Sequence, residues 1–103
     1  MAGKYPDKIR ELELYNGQFD AYKLKAEGAD VLFANYPAGT VIPDHTHDTE
    51  NYGVILRGEA VMTIEGETKN YKPGDWYYIP EEAVHSFECS VDTDQIELWF
   101  KPK

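Results

Sequence analysis

Short apolar and aromatic segments alternate with turn residues along the chain, and this alternation indicates a protein built mostly of β-strands. The segments are rich in Val, Ile, Tyr, Phe and Trp, and no convincing amphipathic helix interrupts them. The candidate strands are Phe19–Ala26, Asp30–Tyr36, Asn51–Arg57, Ala60–Glu65, Trp76–Ile79, Val84–Cys89 and Gln95–Lys101, and Tyr71 is expected on another short one. Strands of this length and spacing predict an all-β sandwich or barrel.

The segments between these strands carry the Gly, Pro and Asp that tight reversals need. They are Pro37-Ala38-Gly39, Gly58-Glu59, Gly66-Glu67, Pro73-Gly74-Asp75, Pro80-Glu81-Glu82 and Asp92-Thr93-Asp94. The N-terminal segment up to Asn16 is ambiguous, because its Ile9, Leu12 and Leu14 fit neither the helical nor the strand period. It is expected to form either a short helix or an edge strand.

Length and charge restrict the class of protein. The chain has 103 residues, which predicts one domain over residues 1–103 and leaves no room for a separate cofactor-binding module. Its net charge of -9 argues against nucleic acid or an anionic membrane as a partner, since both require clustered Lys and Arg. No apolar run approaches the roughly 20 residues that span a bilayer. The lone Cys89 excludes an intramolecular disulfide and no secretory signal is visible, so a cytoplasmic location is expected.

The histidines are the most informative residues, because all three fall into two short stretches. His45 and His47 lie in PDHTHDTEN, and His85 lies in PEEAVHSF. Imidazoles separated by one residue project to the same side of a strand, close enough to share one ion, and a third from a distant strand would close the site. Nitrogen ligation suits Zn, Fe, Ni, Mn, Co or Cu, so the predicted cofactor is one divalent transition metal ion of open identity.

The frame around His45 and His47 resembles the first motif of the cupin superfamily. That motif runs Gly, five residues, His-x-His, three or four residues, Glu, six residues, Gly, and residues 39–58 match it from Gly39 to Gly58. The one departure is Asn51, which stands where the family has Glu.

Residues 74–89 resemble the second cupin motif, which is Gly, five residues, Pro-x-Gly, two residues, His, three residues, Asn. Gly74, Pro80 and His85 match, whereas Glu82 and Cys89 replace the second Gly and the final Asn. The resemblance implies a small single-domain cupin, that is, a double-stranded β-helix or jelly-roll barrel.

The departure at Asn51 bears on the fourth ligand. Glu50 is the nearest carboxylate, but neighbours on a strand face opposite sides, so both cannot point at the metal unless a bulge intervenes. The spacing to Gly58 favours Asn51, which completes a predicted ligand set of His45, His47, Asn51 and His85. Its neutral amide oxygen would leave the metal a stronger Lewis acid than a Glu would. A bulge would put Glu50 in its place.

Aromatic residues near the second motif could line a ligand cavity or simply pack the core: Trp76, Tyr77, Tyr78, Phe87, Trp99 and Phe100. Strand alternation allows only one of the sets Trp76 with Tyr78 and Tyr77 with Ile79 to face the cavity. Cys89 would share the face of His85 on a straight strand, and a buried inert thiol is the favoured interpretation.

No catalytic residue can be assigned, because the acids and phenols nearest the ligands form no recognisable pair: Asp48, Glu50, Tyr52 and Tyr78. The favoured function is a metal-dependent enzyme, of isomerase or lyase type, acting on a small oxygen-rich metabolite such as a sugar acid or keto/enol compound. An Fe(II)-dependent dioxygenase and a non-catalytic small-molecule-binding cupin are the alternatives. The resemblance also implies a homodimer, with residues 1–26, and Lys4 to Ala26 in particular, as N-terminal strands at its interface.

Overall fold

The computed structural model describes residues 5–15 and 20–101, and within them the chain is almost entirely β. One short helix, α1 (Asp7–Arg10), precedes the strands β1 (Glu13–Leu14), β2 (Asp20–Ala26), β3 (Ala29–Tyr36), β4 (Val41–His45), β5 (Glu50–Arg57), β6 (Ala60–Ile64), β7 (Glu67–Tyr71), β8 (Trp76–Ile79), β9 (His85–Glu88) and β10 (Thr93–Phe100). No helix in these two ranges is long and apolar enough to cross a membrane.

The strands form two antiparallel sheets. One contains six strands in the order β1-β2-β3-β10-β5-β8, and the other contains four in the order β4-β9-β6-β7. A shared core lies between the sheets, with Leu32 and Ile55 from the larger one and Met62 and Phe87 from the smaller one. This is a jelly-roll barrel, as the sequence predicts.

The structure corrects the sequence interpretation at several boundaries. The strand β4, which carries His45, was not among the candidates, because Pro43 and the acidic neighbours mask its pattern. Thr93 and Asp94 belong to β10 rather than to a turn. The ambiguous N-terminal segment contains both a helical turn and a two-residue edge strand. The predicted start at Phe19 lies outside the described residues.

Two glycines shape the larger sheet. Gly58 has φ of 85°, and a Cβ there would collide with the Asp92 carbonyl oxygen, so only glycine fits this turn against the start of β10. Gly53 lies on the inner face of β5, directly between Tyr77 on β8 and Glu97 on β10. The Tyr77 ring occupies the space of the missing side chain, since a Cβ at Gly53 would overlap it. Tyr77 can therefore reach across β5 toward β10.

The six-stranded sheet has an unusual distribution of polarity, which is clearest on β10. Gln95, Glu97 and Trp99 are buried on its inner face, whereas Ile96, Leu98 and Phe100 alternate with them and are more exposed. Two rows across the outer face are wholly uncharged. They are Leu24, Val31, Leu98, Tyr52, Tyr78 and Tyr22, Phe33, Ile96, Val54, Trp76.

Candidate metal centre and ligand cavity

Three histidines from two regions of the chain converge at one end of the smaller sheet. His45 ends β4 and pairs with His85 on β9, while His47 lies two residues beyond the end of β4. One ring nitrogen from each lies within 4.8 Å of the others. The expectation that both residues of the His-x-His pair sit on one strand is wrong. His47 lies in the loop that follows β4, and its ring centroid is 4.8 Å from that of His45 and 5.2 Å from that of His85.

Backbone carbonyls define which nitrogen each strand histidine offers. The Nδ1 atom of His45 lies 2.8 Å from the Pro43 carbonyl oxygen, and that of His85 lies 2.9 Å from the Ala83 carbonyl oxygen. A carbonyl oxygen only accepts, so Nδ1–H is the donor in both rings and Nε2 is the nitrogen left for a metal ion. Histidines that ligate metals are commonly oriented by this kind of hydrogen bond.

The environments of His47 and His85 favour the neutral form that metal binding requires. Burial, with the neighbouring His45 and His85, lowers the pKa of His47 to about 4, against a smaller opposing effect of Asp48. Burial likewise lowers the pKa of His85, although its hydrogen bond to Ala83 acts in the opposite direction. At neutral pH each of these two rings is therefore uncharged and has one unprotonated nitrogen that can bind a metal ion.

Asn51 and Glu50 point to opposite sides of β5. Asn51 is 2% exposed, lines the cavity beside the histidines, and accepts a hydrogen bond of 2.6 Å from the Thr49 hydroxyl at Oδ1. Glu50 instead accepts a 2.6 Å hydrogen bond from the Tyr78 hydroxyl, which raises the pKa of Tyr78 to about 12. The pairing of β5 with β10 is regular at both positions, so no bulge exchanges the two side chains. The geometry favours Asn51 over Glu50, and its role as a ligand stays a prediction.

The histidines open into a cavity of about 180 Å³ between the two sheets. Its lining comprises Tyr15, Leu32, Tyr36, Val41, Ile42, Pro43, His45, His47, Asn51, Met62, Tyr77, Ile79, His85, Phe87, Gln95, Glu97 and Trp99. A largely apolar and aromatic wall with a few polar groups is typical of a small-molecule site.

The aromatic residues divide as strand alternation requires. Tyr77 and Ile79 line the cavity, whereas Trp76 and Tyr78 are exposed on the outer face of the sheet. The indole of Trp99 lies 4.6 Å from the His47 ring, centroid to centroid. These contacts make Trp99 part of the wall next to the candidate metal centre.

Cys89 does not approach the histidines. Its buried sulfur lies 3.4 Å from the Pro37 carbonyl oxygen, and it is absent from the residues lining the cavity. Cys89 directly follows β9, and its burial in the core with Phe87 continues the alternation that starts at His85.

The acids and phenols singled out in the sequence do not line the cavity. Glu50, Tyr52 and Tyr78 lie on the outer side of β5 and β8, and Asp48 is exposed. Among the described lining residues the one carboxylate is Glu97, which the sequence interpretation missed. The detectable signal was the alternation within β10, where the polar Gln95 and Glu97 alternate with Ile96 and Leu98.

Glu97 is the centre of a buried hydrogen-bond network. Its Oε2 accepts from the Tyr36 hydroxyl at 2.6 Å and from Gln95 Nε2 at 2.8 Å, and its Oε1 accepts from Trp99 Nε1 at 3.1 Å. Gln95 Nε2 also lies 3.1 Å from the Tyr77 hydroxyl oxygen. Burial, together with the Glu97 charge, raises the pKa of both Tyr36 and Tyr77, so their hydroxyls stay protonated at neutral pH.

A family model described as a cupin domain matches residues 32–100, which include both histidine stretches and the cavity strands. The chain belongs to the cupin family. This confirms the resemblance seen in the two motifs and the fold that it implies.

Individual relatives show how far the likeness extends. This cupin is 30% identical over 94 residues to an uncharacterized protein of Aquifex aeolicus (strain VF5), covering 91% of this chain and 78% of that protein. It is 34% identical over 59 residues to quercetin 2,3-dioxygenase of Bacillus subtilis (strain 168), covering 55% of this chain but only 17% of the dioxygenase. The structure of KdgF from Halomonas sp. superposes with a TM-score of 0.81 at 16% identity, over 98% of this chain and 96% of that one, and shows the same fold.

Proposed function

We propose that this cupin is a metal-dependent enzyme of isomerase or lyase type that acts on a small oxygen-rich metabolite, such as a sugar acid or a keto/enol compound. The supporting observation is the convergence of three histidine rings, two of them with Nδ1 bound to a backbone carbonyl so that Nε2 is left for a metal ion, in a cavity between the sheets. A family of this kind hosts many reactions, so the proposal depends on the site rather than on the fold.

The side chains proposed to hold the ion are His45, His47, His85 and Asn51, all of which are neutral donors. A divalent ion bound by neutral donors keeps its full charge and supplies Lewis acidity toward a carbonyl or enediol oxygen. The protein contributes the enclosure: Phe87, Trp99 and the other apolar walls exclude water, which strengthens electrostatic interactions inside.

An Fe(II)-dependent dioxygenase is the second candidate. It is favoured by the 34% identity to quercetin 2,3-dioxygenase, although that similarity covers 59 residues. A three-histidine site serves either chemistry, so the metal and oxygen consumption separate them. Iron with oxygen uptake on small diketones or phenols would support the dioxygenase, and turnover of sugar acids without oxygen would support the isomerase or lyase.

The first experiment is elemental analysis of the untagged protein, in parallel with His45→Ala, His85→Ala and Glu50→Gln variants. We expect one divalent transition metal ion per wild-type chain, its loss in both histidine variants, and its retention in Glu50→Gln, whose side chain faces away from the cavity. A wild-type protein that is empty and does not take up added Zn, Fe, Ni, Mn, Co or Cu would overturn the proposal.

The proposal extends to assembly as a homodimer in the cytoplasm. The uncharged rows on the outer face of the six-stranded sheet support the dimer, because two copies could meet there without bringing their net charge of -9 together. Leu24 on β2 is 43% exposed in this face and lies within the N-terminal segment predicted at the interface. Size-exclusion chromatography with light scattering distinguishes a dimer from a monomer.

A further inference from the structure

The cavity contains a second group of polar side chains, none of which is a proposed metal ligand. It consists of the Glu97 carboxylate and the Gln95 amide on β10, with the hydroxyls of Tyr36 and Tyr77. The indole of Trp99 separates it from the histidines, since that ring packs on His47 and its Nε1 donates to Glu97. We call Glu97 and Gln95 the acceptor floor.

The Glu97 carboxyl group of the acceptor floor is buried and hydrogen-bonded to neutral side chains. No Lys or Arg is among the described residues that line the cavity, and Glu97 is 7% exposed. Its three hydrogen-bond donors are neutral side chains, so none of them is a cationic partner for the carboxylate. A ligand carboxylate or phosphate at this position would be repelled, whereas a hydrogen-bond donor would be favoured.

Gln95 adds an acceptor that lacks a partner. Its Oε1 is buried and makes no hydrogen bond, and the residue is 1% exposed. The amide cannot be reversed to repair this, because Oε1 would then lie where Nε2 is now, 2.8 Å from a Glu97 carboxylate oxygen. A buried acceptor left unpaired is destabilising, so a donor supplied from the cavity would be stabilising there.

We propose that the acceptor floor binds a hydroxyl group of the substrate, which therefore carries a carboxylate or carbonyl at the end facing the histidines and a hydroxyl at the end facing Glu97 and Gln95. This assignment rests on the proposed function, because the metal centre holds the first end. It narrows the oxygen-rich metabolite to a hydroxylated acid or hydroxylated carbonyl compound and excludes one with an acidic group at both ends.

Trp99 provides the readout, because it contacts both ends of the cavity. The chain has two tryptophans, and the other, Trp76, is 59% exposed on the outer face, so Trp76→Phe leaves Trp99 as the reporter. The probes are butanoate, 4-hydroxybutanoate and succinate, which differ only at one end, titrated into the zinc-loaded protein. We expect 4-hydroxybutanoate to bind about tenfold more tightly than butanoate, the value of one hydrogen bond to a charged group, and succinate to bind most weakly.

Variants test whether the floor causes that preference. Glu97→Gln should reduce the preference for the hydroxyl acid several-fold and relieve the exclusion of succinate. The matched control is Glu88→Gln, which changes the same residue type at an exposed position outside the cavity. It should leave the affinities for 4-hydroxybutanoate and succinate, each relative to that for butanoate, unchanged. If Glu97→Gln does not fold, Gln95→Met, which removes the unpaired oxygen at similar length, should show the same loss of preference.

The two proposals fail in different ways. A protein that loads zinc but binds butanoate and 4-hydroxybutanoate equally would overturn the acceptor floor and leave the proposed function standing. Erythritol titrated into the metal-free protein examines the floor alone. A chain that loads no metal, yet shows a Trp99 response to erythritol that Glu97→Gln abolishes, would overturn the proposed function and support the floor.

Discussion

The two faces of β10 differ in a direction opposite to that of an ordinary soluble sheet, whereas the neighbouring strands β3 and β5 bury apolar residues such as Leu32 and Ile55 in the usual way. On β10 the inward side chains include Gln95 and Glu97, and the outward ones include Ile96 and Leu98. Antiparallel sheets usually bury their apolar face and leave the polar one in water. The comparison teaches that β10 gives up part of an apolar core to hold a buried hydrogen-bond network, and that it leaves apolar side chains such as Ile96 and Leu98 on the outer face.

The largest expected effect on stability comes from making the inner face of β10 as apolar as its outer face. Glu97→Leu would leave the Tyr36 hydroxyl, the Gln95 amide and the Trp99 indole without their shared acceptor. We expect the free energy of unfolding to fall by roughly 3 kcal/mol, because buried donors without partners are costly. Urea denaturation measures this, and the exposed Glu88→Leu serves as the control. Unchanged stability would show that the network does not hold the inner face together.

A somewhat smaller loss of stability is expected at Gly53, where the inner face of β5 has no room for a side chain. Gly53→Ala places a Cβ in the space that the Tyr77 ring occupies, so the ring must move away from Gln95. Overpacking of this kind costs about 1–3 kcal/mol. Thermal unfolding measures the cost, and Gly28→Ala is a contrasting variant, because no atom lies near its Cβ and only its φ of 80° opposes the change. A Gly53→Ala protein with a wild-type melting curve would contradict the close packing.

The metal-free protein should become less stable as the pH falls from about 6.5 to about 4. The pKa of His47 is lowered to about 4 in the folded state, below the ordinary 6.5 of the unfolded chain. Between these values the unfolded state binds the extra proton, so acidification favours unfolding, and the stability contributed above pH 6.5 is lost on the way to 4. Denaturant midpoints at pH 7, 5.5 and 4.5 measure the trend, which His47→Gln should flatten. An equal slope in both proteins would assign the loss to other groups.

The smallest effect on stability is expected on the outer face. Tyr52→Asp introduces a charge into an uncharged row at a residue that is 37% exposed, so the fold should lose less than about 1 kcal/mol. Its effect on assembly should be much larger, with the dimer converted to a monomer while metal content is unchanged. Light scattering with elemental analysis measures both, and Tyr52→Phe should remain dimeric. A Tyr52→Asp protein that is still a dimer would place the interface elsewhere.

Sequence and structure agree best where spacing carries the information. The intervals from Gly39 to Gly58 and from Gly74 to His85 resemble the two cupin motifs, and that resemblance predicted the cupin barrel, which the family model confirms. The same motifs identified His45, His47 and His85 as candidate ligands, and the structure places these three residues together. Local pattern failed at β4, because Pro43 is atypical of a strand and the pairing partner β9 lies far away in sequence.

The sequence by itself determined the fold family and the three histidines through their resemblance to the cupin motifs, and it favoured Asn51 over Glu50 as the inward residue as long as no bulge intervened. Only the tertiary structure decided which face of β10 is inside. Local hydrophobicity would bury Ile96 and Leu98, but the pairing of β10 with Gly53 on β5 and with β3 turns Gln95 and Glu97 inward. Strand register depends on partners distant in the chain, and it assembled the buried carboxylate network that no local pattern contains.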